Sequence, residues 1–214
     1  MTAATTGASA ITETFSLEVR WIIPGQVDMA VAEWFDGFPS ETELREDAYI
    51  LDPDLDGVSV KVRAGQALEL KTFHGSPGIL DFRGRACGRM QYWRKWSVPF
   101  RPPSRSGGDR DGWRRVRKQR RTSRFSLARS QLATPAGELA DAPRCAVELT
   151  GIRVHDQDWW SLGLEATGPA DLLRAGLQAT AALMFTRPLP GGVELRMEDS
   201  MSYAEWLRQP ERLL

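Results

Sequence analysis

The chain has 214 residues, of which 42% are hydrophobic and 26% charged, and its 28 basic and 28 acidic side chains cancel to a formal net charge of zero. That length suits one sizeable core, and the neutral balance excludes a global attraction to nucleic acid or to an acidic membrane surface. No apolar run approaches the roughly 20 residues of a membrane span, and the opening "MTAATTGASAITET" lacks the basic and apolar regions of a signal peptide. Cys87 and Cys145 have no metal or redox spacing, so a reducing, cytoplasmic setting is expected. Arginine dominates the basic residues, as in a GC-rich genome; the only lysines are Lys61, Lys71, Lys95 and Lys118. A lysine kept in such a background suggests a need for a compact, adjustable ammonium.

Residues 1–13 are small and polar, and a flexible tail is expected there, ahead of a single domain over 14–214. "FSLEVRWII" (15–23) alternates, with Ser16, Glu18 and Arg20 on one face and Leu17, Val19 and Trp21 on the other, the pattern of a strand. "PGQVDMAVAEWFDGF" (24–38) repeats Val27, Ala30, Val31, Trp34, Phe35 and Phe38 at helical spacing. It predicts an amphipathic helix with Pro24 in its first turn and Gly37 near its end. Strands are expected next in "EDAYILD", in the two halves of "GVSVKVRAGQALELK" and in "MQYWRKWSV". "RPPSRSGGDRDG" (101–112) reads as a mobile, exposed loop. A basic strand, "WRRVRKQRRTSRFSLA", and a turn-rich stretch (134–143) lead to the strands "RCAVELTGIRV" and "DWWSLGLEA". "GPADLLRAGLQATAALMF" predicts a second helix that buries Leu173, Leu177, Ala181 and Met184, with Pro169 at its start and Asp171 in its first turn. "VELRM" is a last strand candidate before a short helix, "SYAEWL".

About eight strands with two principal helices and no regular crossovers predict an α+β, mainly antiparallel fold. The sheet is expected to close into an eight-stranded barrel with the helices outside, a two-sheet sandwich being the alternative. Charges recur on a two-residue beat: Glu18 with Arg20, Lys61 with Arg63, Glu69 with Lys71, Lys118 with Arg120, and then Glu148 and Glu165 on later strands. On a single strand such a beat marks a solvated outer face. Two amphipathic helices, however, need apolar sheet surface to cover, and if the apolar faces point outward the charged faces point inward. Unpaired buried charge costs several kcal/mol per ion, so a charged interior has to be a hydrated cavity that awaits a counter-charge.

The order of these segments resembles the CYTH domains, or triphosphate tunnel metalloenzymes. Ser16 to Trp21 is similar to the family's opening E-x-E-x-K strand, and Asp47 to Asp52 to its D-x-Y-Y-D segment. Lys61 and Arg63 match L-R-x-R, Glu69 to Lys71 match E-L-K, and Lys118 with Arg120 match a later K-x-R strand. Glu148, Glu165 and the closing "SYAEWL" follow in order, so the likeness spans nearly the whole chain.

The resemblance implies a triphosphate ligand (inorganic tripolyphosphate, thiamine triphosphate or a nucleoside triphosphate) gripped by Arg20, Lys61, Arg63, Lys95, Lys118 and Arg120. It implies Mg²⁺ or Mn²⁺ held by Glu18, Glu148 and Glu165, with Glu69 as a further candidate. It also implies Lys71 and Tyr49 as the catalytic pair that positions or activates water, the lysine having its pKa lowered by neighbouring cations. Four departures stand against the full pattern. Ser16 replaces the first glutamate and Arg20 the lysine (a shift of two would instead put Glu18 and Arg20 at the two glutamates), Gly163 stands where the family often has another, and "MQYWRKWS" is basic and aromatic where the family commonly carries an acid.

A triphosphatase (a hydrolase acting on acid anhydrides) and a catalytically reduced tunnel that binds polyphosphate, a nucleotide or another anion both remain open. A third reading, a nucleic-acid-binding module, would use Arg115, Arg117 and Arg121, although one face of that strand already belongs to the tunnel pattern. Glycine-rich phosphate loops and a G-x-S-x-G elbow are absent. His74 and His155 are too few for histidine-based hydrolysis or a zinc site, and Trp159 and Trp160 read as packing residues.

Overall fold

A computed structural model of the chain describes residues 11–100, 112–128, 131–133 and 143–209. Its strands are β1 (Thr12–Pro24), β2 (Glu41–Ile50), β3 (Val58–Arg63), β4 (Ala67–Phe73), β5 (Gly78–Phe82), β6 (Ala86–Pro99), β7 (Trp113–Ala128), β8 (Gln131–Ala133), β9 (Arg144–Val154) and β10 (Gln157–Thr167). The α-helices are α1 (Met29–Asp36), α2 (Leu173–Met184) and α3 (Tyr203–Leu207). Eight strands close on themselves in the order β1–β10–β9–β7–β2–β3–β4–β6, with β6 pairing back onto β1 and β5 and β8 attached outside the ring. Every ladder in the ring is antiparallel. The β6–β1 ladder, from Thr12 opposite Ser97 to Glu18 opposite Gln91, distinguishes a barrel from a sandwich. The expected eight-stranded tunnel with outer helices is the one observed.

The period-two pattern decides which face is inside. Leu17, Val19 and Trp21 of β1 stand opposite Ala166, Leu164 and Leu162 of β10, so both strands turn an apolar row the same way. That row faces out, and α2 covers it with Leu173, Leu177, Ala181 and Met184, while α1 adds Val31 and Phe35 to the same cluster. The main core therefore lies between barrel and helices, each large buried side chain contributing about 1.5–3 kcal/mol. Trp21 shows how close the packing is. Its indole N–H donates to the Cys87 carbonyl at 2.8 Å, and a Cβ at Gly88 would come within 2.6 Å of its ring.

A second cluster fills one end of the barrel interior. Ile22, Tyr49, Val116, Ile152, Val154 and Trp159 from the strands pack with Met201, Trp206 and Leu207. Trp206 is fully buried, with its ring centroid 5.3 Å from that of Trp159. A reciprocal capping box starts α3: Ser202 Oγ accepts from Glu205 N at 3.2 Å, and Glu205 Oε2 accepts from Ser202 N at 2.7 Å. Arg208, just past the helix, donates to the carbonyls of Leu55 and Val58, the latter at 2.7 Å. The short terminal helix is a stopper.

Several elements begin or end elsewhere than the sequence predicts. Pro24 is the last residue of β1, and α1 starts at Met29, capped by Asp28, whose Oδ1 accepts from Ala30 N at 2.7 Å. Pro169 and Asp171 lie in a turn before α2, where Leu172 N donates to the Pro169 carbonyl at 3.0 Å. "VELRM" forms no ladder: Leu195 makes a single bridge to Ala86, and Met197–Asp199 is a 3₁₀ turn. β1 starts at Thr12, inside the expected tail, and "GILDF" forms the unpredicted β5. Of the expected loop at 101–112 and turn-rich stretch at 134–143, all but Gly112 and Pro143 lie outside the described residues. Trp206→Ala is expected to cost about 3–5 kcal/mol of stability, to be read from urea unfolding followed by circular dichroism.

Candidate functional site

The charged faces turn inward. Glu18, Arg20, Tyr49, Lys61, Arg63, Lys71, Lys95, Lys118, Arg120, Glu148 and Glu165, together with the further candidate Glu69, line one cavity of about 100 Å³. Arg45, Ser59, Gln91, Trp93, Ser202, Tyr203 and Ala204 complete its lining. α3 closes one end. Lys118, nearest that floor, is only 2% exposed, whereas Arg63 at 37% and Glu43 at 40% mark the opposite rim.

At the floor a carboxylate organises three cations. Asp47, with no exposure, lies 3.1 Å from Lys118 Nζ, 3.4 Å from Lys61 Nζ and 3.2 Å from Arg45 Nε. Burial alone would raise its pKa, but Lys61, Lys118 and Arg45 hold it far below the usual carboxylate range. Lys118 Nζ also donates to Tyr49 Oη at 2.6 Å and sits 3.8 Å from the centre of the Tyr203 ring. Burial lowers the Lys118 pKa, with Lys61 and Arg45 adding to the effect and Tyr49 and Asp47 opposing it. Burial also pushes Tyr49 up to about 12.

Higher in the tunnel every carboxylate has a cationic partner. Lys71 Nζ donates to Glu18 Oε1 at 2.6 Å, and the Ser16 hydroxyl donates to the same oxygen at 2.7 Å. Glu148 accepts from Arg20 at 3.1 Å on one oxygen and from Arg120 at 2.7 Å on the other. Glu69 pairs with Lys61 at 3.0 Å and Arg63 at 3.4 Å, and Glu165 lies 3.8 Å from Lys95. Burial would raise Glu69 and Glu148, yet Lys61 holds the first, and Arg20 with Arg120 the second, down to about 2.

The water-activating pair implied by the resemblance is not a pair in the structure. Tyr49 bonds Lys118, and Lys71 bonds Glu18 across the barrel. Burial would lower the Lys71 pKa, but Glu18 and Glu165 more than offset it, so the ammonium keeps its proton. Lys118, and not Lys71, is the lysine whose pKa falls.

The surroundings of the implied metal ligands leave little room for an ion. Glu18 and Glu165 stand opposite each other on β1 and β10, but Glu148 is two residues further along, across Gly163. Among the described residues no group of three or more acidic, histidine or cysteine side chains could hold an ion. Magnesium requires several free oxygens in near-octahedral array, and these carboxylates already accept from lysine and arginine. As arranged, they do not fit a divalent cation.

Arg45, Asp47 and Tyr203 went unassigned in the sequence. Arg45 and Asp47 share the β2 beat with Glu43 and Tyr49, so the signal was present, whereas Tyr203 comes from the stopper and carries no such pattern. The outward arginines of β7 have acidic partners: Arg115 and Arg117 share Glu46 at 2.8 and 3.2 Å, and Arg121 donates to Asp36. Arg124, on the inward beat, donates to Glu41 at 2.6 Å. His74 is an exposed loop residue 3.0 Å from the Thr72 hydroxyl, and Trp159 and Trp160 are buried on opposite faces of β10.

No family model matches the chain, and no curated protein does. Among solved structures it is similar to the PH1819 protein of Pyrococcus horikoshii, at 14% identity over 91% of this chain and 99% of that one, with a TM-score of 0.44. It is also similar to a mimivirus capping-enzyme triphosphatase, at 10% identity over 80% and 90% of the two chains, TM-score 0.41. The S. pombe RNA triphosphatase Pct1 matches at 11% identity over 82% and 80%, TM-score 0.39.

Two tests follow from the ion pairs. Glu69 and Glu148 have folded pKa values of about 2 against an ordinary 4.5, so their contribution is complete above pH 4.5 and is lost as pH falls from there toward 2. Urea midpoints measured across that range should fall steadily with acid. Asp47→Asn leaves Lys118, Lys61 and Arg45 without their shared counter-charge and is expected to cost about 3–5 kcal/mol, read from the same unfolding curves.

Proposed function

We propose that the tunnel binds an anion of the triphosphate class, such as inorganic tripolyphosphate, thiamine triphosphate or a nucleoside triphosphate. The observation that carries this reading is the charge imbalance of an enclosed cavity. Eight cationic side chains on its wall face six carboxylates (Glu18, Glu43, Asp47, Glu69, Glu148 and Glu165, with Glu43 at the rim beside Arg45, Arg63 and Arg120), an excess of two positive charges. A triphosphate brings about four negative charges strung along a narrow chain. A buried donor on the wall supports the same reading: Arg120 Nε has no hydrogen-bond partner.

Hydrolysis is a second reading, favoured by the Lys118–Tyr49 contact. A buried lysine with a depressed pKa, hydrogen-bonded to a phenol in a cavity, is a frequent mark of proton-transfer sites. Nucleic acid binding is disfavoured by the acidic partners of Arg115, Arg117, Arg121 and Arg124.

Calorimetric titration with tripolyphosphate tests the first reading. Binding is expected for the native chain, and Lys61→Ala and Arg120→Ala should each weaken it by about tenfold or more. No heat of binding from folded protein with tripolyphosphate, thiamine triphosphate or ATP overturns it. Phosphate release from those three compounds tests the second, and release that persists in Lys118→Met removes the Lys118–Tyr49 contact from the mechanism.

A further inference from the structure

Gly163 faces into the tunnel on β10, directly between Arg20 of β1 and Glu148 of β9. A Cβ at that position would come 2.7 Å from Arg20 Cζ and 2.9 Å from each of its terminal nitrogens. The Arg20 guanidinium thus lies flat on the bare backbone of Gly163. From there it donates to Glu148 at 3.1 Å and to Ser161 Oγ at 3.3 Å, and it lies 4.9 Å from the centre of the Tyr203 ring. Three neighbours and a missing side chain fix one cation.

The position matters because of what stands around it. Glu18 and Glu165 form one cross-strand pair, and Glu148 is the next inward carboxylate along the wall. An ion that joined Glu148 to that pair would have to occupy the space where the guanidinium rests. It would also bring two positive charges beside Arg20 and Lys71, with both Glu148 oxygens already taken by arginines. A guanidinium is planar, keeps its charge at any accessible pH and presents several donors suited to phosphate.

We propose that the tunnel binds its oligophosphate without a divalent metal, and that Arg20, seated on Gly163, is the resident cation which takes that place. The proposal rests on the anion-binding reading above and adds how the charge of the bound anion is met.

The test is calorimetric titration of the full chain with tripolyphosphate, once in chelator and once in Mg²⁺ or Mn²⁺, together with electron paramagnetic resonance of Mn²⁺ added to the free protein. Binding in chelator is expected to be at least as tight as with metal, and Mn²⁺ should give the spectrum of the free ion. Gly163→Ala alters no charge but pushes Arg20 off its seat, and it should weaken binding in chelator by about tenfold. Arg20→Lys, which keeps the charge and loses the planar fit, should act in the same direction, and thermal melts confirm that each variant is folded. Binding that appears only with a divalent ion overturns the proposal and leaves the anion-binding reading intact. Absence of binding in both conditions overturns that reading and the proposal with it. Native affinity in chelator for folded Gly163→Ala and Arg20→Lys overturns the role of Arg20.

Discussion

A carboxylate without access to water, Asp47 of β2, is held among Lys118 of β7, Lys61 of β3 and Arg45 of its own strand. Its charge lets three cations converge in a closed space, and theirs keep it ionised. Removing either sign strands the other in a region of low dielectric, where an unpaired ion costs several kcal/mol. The contact also ties three neighbouring strands together on the inner face, just above the apolar cluster that fills the closed end. The rest of the tunnel repeats the arrangement less completely, with carboxylates bridging strands and an excess of cations left over.

On the anion-binding proposal, that excess is what would separate a ligand cavity from a polar core. A wall in balance would satisfy itself and could collapse. Here each cation has a carboxylate beside it, yet several carboxylates are shared, so the wall keeps a net positive charge, and Arg120 Nε has no hydrogen-bond partner. Binding a multiply charged anion would complete the wall, so the bound protein should be stiffer and more stable than the free one.

The barrel was legible because one rule governs both its faces. Alternation over β1, β3, β4, β7, β9 and β10 marks the charged rows, and the two amphipathic helices show which side is covered. β5 was missed because "GILDF" is too short to show a beat and is defined by its pairing with β6. The starts of α1 and α2 were misplaced because proline suits both a helix start and a strand or turn end; the Asp28 cap fixes the start of α1, and the turn from Pro169 to Leu172 precedes that of α2. The partners of Lys71 and Lys118 were beyond the sequence for a different reason. Which inward residue meets which across a closed barrel depends on stagger and curvature, and these are properties of the whole ring. Gly163 shows the same limit: its absent side chain gains meaning only when the Arg20 guanidinium is seen lying over it.

The stopper helix gives the tunnel a direction. With Trp206 and Tyr203 across one end, the way in marked by the described residues lies beside Arg63 and Glu43. A phosphate chain that reaches Lys118 has to be led in by its own free terminus, and a chain blocked at both ends has nothing to lead with. Whatever arrives at the floor first is also the last to leave, so bound groups would queue in single file.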